Sequence, residues 1–186
     1  MTCKGREHLA KNIESQIPDV IINYDDYKDS GKFTSTAYFN YVRAINYLQG
    51  TGGIIMEDDV VLTQNFVKKA QNALKEHPDQ IIQFFSMRKK DIEIGTRKER
   101  GSNYLMAQCT YFPAEVLKEI LDYEPTFYEN TKHTHSPNDV LVADALKHNK
   151  RDYVVYVPNL VDHMEERSMI SSSRSTKRQS LTFQRN

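Results

Sequence analysis

Tryptophan is absent from the 186 residues, cysteine occurs only at Cys3 and Cys109, and neither sign of charge prevails, with 25 lysines and arginines against 25 aspartates and glutamates. Two distant cysteines exclude a disulfide framework and a thiolate zinc site; reduced, structural thiols are the expectation. Balanced charge excludes capture of nucleic acid or acidic membrane by a bulk field, so any electrostatic recognition must be local. No window nears the roughly 18 consecutive apolar residues of a membrane span. The start, Met1-Thr2-Cys3-Lys4-Gly5-Arg6, lacks the apolar stretch of a secretory signal, and a cytoplasmic location is expected.

What is present is a globular composition, 39% hydrophobic and 27% charged, with 8 Phe and 11 Tyr to fill a core. At roughly 100–200 residues per domain, the length allows one compact domain. Short apolar runs at 19–22, 53–56, 81–85, 104–112 and 153–157 have the length of strands. Helical spacing recurs between most of them, at 7–17, 36–48 and 65–76, and prolines open further helices at 114–121 and from 137 to 148. This alternation predicts a single three-layer α/β domain over 1–166 with a mainly parallel central sheet. Residues 88–101 hold six basic and three acidic residues and read as an exposed loop between strands. Residues 167–186 hold five basic residues, no acidic ones and a run of serines, a polar tail expected to stay disordered or to order on an anion.

Three groups carry chemistry. Gly52-Gly53-Ile54-Ile55-Met56-Glu57-Asp58-Asp59-Val60 is a buried strand ending in three consecutive carboxylates. Such acids raise one another's pKa unless a cation sits among them, and hard oxygen donors favour Mg²⁺ or Mn²⁺. The plainer alternative is an exposed acidic turn feeding the next helix. His163, after Val157-Pro158-Asn159-Leu160-Val161-Asp162, has no role alone, but a neutral imidazole beside the acids would complete a mixed site suited to Mn²⁺. Ser136-Pro137-Asn138-Asp139 reads either as a helix cap or as a carboxylate, Asp139, held at a helix start to accept a proton from a reacting hydroxyl. A P-loop is excluded, because Asp26 stands where its first glycine belongs and Phe33 where its magnesium-binding hydroxyl belongs.

The ordered set Cys3-Lys4-Gly5-Arg6, Val20 to Asp26, Asn40 with Arg43-Ala44, Ile54 to Val60, Asn138-Asp139, and Pro158 to His163 followed by Ser168 resembles the GT-A fold glycosyltransferases, particularly small bacterial and viral members related to lipopolysaccharide-type transferases. The resemblance implies a metal-dependent enzyme moving a sugar from a nucleotide-sugar, a UDP-sugar, to an acceptor hydroxyl on a glycan or a hydroxymethylated DNA base. It implies Asp59 as metal ligand with Glu57 and His163, Glu57 or Asp58 supporting the metal or ribose, and Asp139 as base of an inverting reaction. Asp25 or Asp26 would face the base or ribose, with Asn40 on the adjoining helix and Arg6 and Arg43 lining the same pocket. Ser171, Ser172, Ser173, Arg174, Lys177 and Arg178 would fold over the diphosphate. The basic residues of 88–101 read either as a solvated surface or as a track for polymer phosphates. A metal-dependent phosphohydrolase or nuclease needs similar acids and stays open, as does a noncatalytic nucleotide-binding module.

Overall fold

The computed structural model describes residues 1–2, 5–24, 33–131, 138–164 and 178–184. Branched and aromatic runs form the strands β1 (Gly53–Met56), β2 (Val60–Leu62), β3 (Ile81–Gln83), β5 (Cys109–Phe112), β6 (Asp152–Val157) and β7 (Val161–His163). A seventh, β4 (Gly95–Arg100), is almost wholly polar. The helices are α1 (Glu7–Glu14), α2 (Phe33–Leu48), α3 (Phe66–Glu76), α4 (Ala114–Thr131) and α5 (Asn138–His148).

The main sheet runs β1-β5-β3-β6-β4. Its two core clusters take alternate residues of the same strands: Ile55, Ile81, Phe112, Tyr153 and Val155 pack with α2, α4 and α5, whereas Ile82, Cys109 and Val154 pack with α1 and α3. Successive side chains of a strand point to opposite faces, so helices cover both faces of a mixed α/β sheet. The mainly parallel pairing expected from the sequence is not what forms. Among the described residues of the main sheet only β3–β6 is parallel; β1–β5, β3–β5 and β4–β6 are antiparallel. Between β3 and β5 lie only β4 and a single 3-10 turn at Gly101–Asn103, and without an α-helical crossover the chain returns against its own direction.

Two further expectations change. The strand expected over 19–22 is not formed; the segment makes one parallel bridge, Thr2 to Tyr24. Residues 95–100 of the expected loop are β4, in register with β6 from Gly95–Val157 to Arg100–Asp152. Gly52, at φ +70°, links α2 to β1 where a Cβ would stand 2.9 Å from the Phe112 carbonyl oxygen, so glycine is required there.

Candidate functional site

Because β1, β3 and β6 run the same way, their carboxyl ends share one edge of the sheet, and the acidic turn lies there. The Glu57 N–H donates to the Gln108 carbonyl at 2.9 Å, extending the β1–β5 ladder by one residue. The chain then turns through Asp58 and Asp59 into β2. That strand pairs with β7, placing Val60 opposite His163, and the Met164 N–H donates to the Asp59 carbonyl at 2.8 Å. This ribbon carries a histidine about a hundred residues away in sequence onto the acids: His163 Nε2 is 3.4 Å from Asp59 Oδ2.

His163 is fully buried, and its Nδ1 contacts the Met164 carbonyl oxygen. A carbonyl only accepts, so Nδ1 carries the proton and the Nε2 of a neutral ring turns its lone pair toward a carboxylate. Two lone-pair carriers at that distance repel unless a proton or cation lies with them. On the other side, Arg6 forks across the turn, Nη1 at 3.1 Å from Asp58 Oδ1 and Nη2 at 3.0 Å from Asp59 Oδ2. Asp59 Oδ1 is buried without a hydrogen-bond partner among the described residues.

Glu57 is bonded by Gln108, whose Nε2 donates to Glu57 Oε2 at 3.3 Å. Burial raises its pKa well above the usual carboxylate range, the charges of Asp59 and Asp58 add to this, and Arg178 opposes it. Asp58 is also raised, by burial, against the pull of Arg6. Asp139, in the first turn of α5, accepts from the Met106 N–H at 3.3 Å through Oδ2, while its Oδ1 is buried and has no hydrogen-bond partner among the described residues. It lies within electrostatic reach of Glu57.

Among the described residues no group of three or more His, Cys, Asp or Glu side chains is placed to hold a metal ion. The expected trio with Glu57 is therefore not assembled; what is brought together is one carboxylate and one imidazole, Asp59 and His163. That hard and borderline donor pair, with an unpartnered oxygen on Asp59 and a lone pair on His163, fits a Mn²⁺ or Mg²⁺ ion that keeps water and phosphate oxygens in its remaining positions.

Of the other expected residues, Arg43 bonds Asn40 Oδ1 at 3.0 Å and the Tyr24 carbonyl, and Asn23 Nδ2 donates to the Asn40 carbonyl at 2.9 Å. These bonds tie residues 20–24 to α2. Arg43 and Asp58 line an apolar cavity of about 440 Å³; Arg6, expected on the same wall as Arg43, reaches the acids instead. Asp25, Asp26, Ser172, Arg174 and Lys177 lie outside the described residues, as do the cap residues Ser136 and Pro137. The described end of the tail is held by protein groups: Ser180 N–H donates to Asp162 Oδ1 at 2.7 Å, Ser180 Oγ to Asn159 Oδ1 at 2.7 Å, and Asn159 N–H to Thr182 Oγ1 at 3.1 Å.

Four of the six basic residues of 88–101 have protein partners. Arg97 pairs with Asp91 and Glu99, Lys90 with Glu99, Lys98 with Asp152, and Arg88 donates to the Tyr153 hydroxyl at 2.8 Å. Gln108, which bonds Glu57, and Asn159, which bonds Ser180, carry no signal in the sequence beyond an amide interrupting an apolar run. No family model matches the chain, and neither does any curated protein. Among the described residues, no helix is long and apolar enough to cross a membrane.

Proposed function

We propose that the protein is a metal-dependent glycosyltransferase that moves a sugar from a UDP-sugar to an acceptor hydroxyl, on a glycan or a hydroxymethylated DNA base, with inversion. The observation that carries the reading is the approach of His163 Nε2 to Asp59 Oδ2, 3.4 Å apart at the carboxyl ends of β1, β3 and β6, with Asp139 at the same end. Ligands of α/β sheets gather at that edge.

Asp59 and His163 would hold a divalent cation, which when bound offsets the charge that develops on a departing diphosphate. The remaining work falls to the chain's own groups. Asp139 accepts the proton of the acceptor hydroxyl through its unpartnered Oδ1 while the Met106 N–H fixes its other oxygen. Glu57, bonded by Gln108 Nε2 at 3.3 Å, presents its carboxyl group to a donor hydroxyl. Arg178, facing Glu57, adds positive charge beside the leaving group.

Thermal melting tests the reading. UDP with Mn²⁺ together, at about 100 times the dissociation constant, should add about 2.7 kcal/mol of stability, or roughly 5–10 °C for a chain of this size. Neither alone should do so, and Asp59→Ala should lose the joint effect. Melting that is identical with and without the pair in the wild-type protein overturns the assignment.

A further inference from the structure

The two acids of the turn do not share the same neighbours. Asp59 has His163 on one side and Arg6 on the other, while Asp58 faces Arg6 and the Thr2 side chain. Asp58 and Asp59 are each almost completely buried, and the Arg6 side chain retains only 14% of its exposure. A guanidinium at 3.0–3.1 Å from two buried carboxylates supplies the cation their burial demands. The same fork explains why Asp58 does not converge with Asp59 and His163 on one point. Arg6 sits just ahead of α1, after Gly5 at φ +89°, with open space around the glycine.

Resting on the metal-dependent reading above, we propose that Arg6 is the resident cation of this site: it clamps Asp58 and Asp59 while the metal is absent, and a divalent ion binds by displacing it. Charge arithmetic favours the exchange when diphosphate is present. A divalent ion replaces one positive charge by two at the carboxylates, and the released guanidinium has a phosphate to fork onto. Without an anion the exchange costs Arg6 its pairs with Asp58 and Asp59 and offers nothing in return, so metal alone binds weakly. Arg6 is thus a positioning residue that couples metal entry to donor entry.

The coupling is read by free Mn²⁺ in electron paramagnetic resonance, without any measurement of turnover. Arg6→Gln should bind Mn²⁺ alone about tenfold more tightly than the wild type, and should bind UDP in the presence of Mn²⁺ about tenfold more weakly. Arg6→Lys, which keeps the charge and loses the fork, should fall between, and circular dichroism checks that both variants fold. A Mg²⁺ titration of the wild-type protein gives a second measurement, in which the Arg6 Nε–Hε resonance should move with metal occupancy. Wild-type Mn²⁺ binding that is unchanged or weakened in Arg6→Gln, with a still Arg6 resonance, overturns this inference and leaves the metal site standing. No Mn²⁺ binding by any of the three proteins overturns both.

Discussion

Asp139 and Glu57 are neighbouring carboxyl groups with opposite surroundings. The Asp139 side chain accepts from a backbone N–H and keeps one oxygen without a partner, which suits a proton acceptor. Glu57 is raised by burial and by two adjacent aspartates while no cation lies among them, and its Oε2 accepts from Gln108. Asp139→Asn keeps an oxygen for the Met106 N–H and removes the ability to take a proton. Turnover should fall by about 10²–10⁴-fold, while the melting shift with UDP and Mn²⁺ stays as in the wild type; equal turnover refutes the base. At this scale the sequence displayed the side chains that announce their own chemistry, the three acids and the histidine. It concealed Gln108, because an amide has no assignable role until its neighbour, Glu57, is known.

β4 shows the same limit among whole elements. Gly-Thr-Arg-Lys-Glu-Arg has no apolar alternation, and composition alone reads it as loop. It is a strand because β6 offers a full backbone edge and because its charges find partners: Glu99 takes bonds from Asn103 Nδ2 at 2.8 Å and Arg97 Nη1 at 2.8 Å, and from Lys90. The ribbon β2–β7 was hidden for a different reason, since three-residue strands fall below any periodicity. α1, α2 and α3 are legible from spacing and α5 from the proline before it, and α4 runs ten residues past its expected end because Tyr123 and Phe127 keep one face on the core beyond Leu121. The Glu99 network has a pH signature. Burial works against the Glu99 carboxylate, but the bonds from Lys90, Asn103 and Arg97 outweigh it and hold its pKa far below 4.5, the model-compound value. A depressed carboxylate contributes stability that is present above about pH 4.5 and is lost as pH falls below it. Glu99→Gln should therefore destabilise by about 2 kcal/mol at pH 7 and by less at pH 3, where the unfolded carboxyl is largely protonated while the folded one keeps its charge. Chemical denaturation at the two pH values checks this, and an equal loss at both would refute it.

The whole molecule has a gap in its layering beside β1. That strand is the edge of the main sheet, with β5 on one side only. Across from it lie residues 20–23, and between them the cavity of about 440 Å³ is walled by Ile54, Ile55 and Met56 on one side and Val20, Ile21 and Ile22 on the other. Met1 and Thr2 close one end in strand-like fashion: Thr2 N–H donates to the Asn23 carbonyl at 3.1 Å, and the Met1 amino group donates to the Met56 carbonyl at 2.6 Å. Burial lowers the pKa of that amino group, so a charge is being desolvated at a place where a peptide N–H would make the same bond without one. The cavity is thus a slot one strand wide, continuous with Met1. An apolar extension such as Val-Ile-Val placed ahead of Met1 should enter it, bonding the free edge of β1 and burying side chains worth about 1.5–3 kcal/mol each when fully enclosed. With chain-ordering entropy opposing at roughly 1–2 kcal/mol per residue, a net gain of about 1–2 kcal/mol is expected, or roughly 2–8 °C in melting temperature for a chain of this size. Gly-Ser-Gly in the same place removes the buried charge but fills nothing, and should give a smaller rise. Calorimetry of the two extended proteins against the parent separates the contributions, and equal melting of the apolar and polar extensions would show that no strand enters the slot.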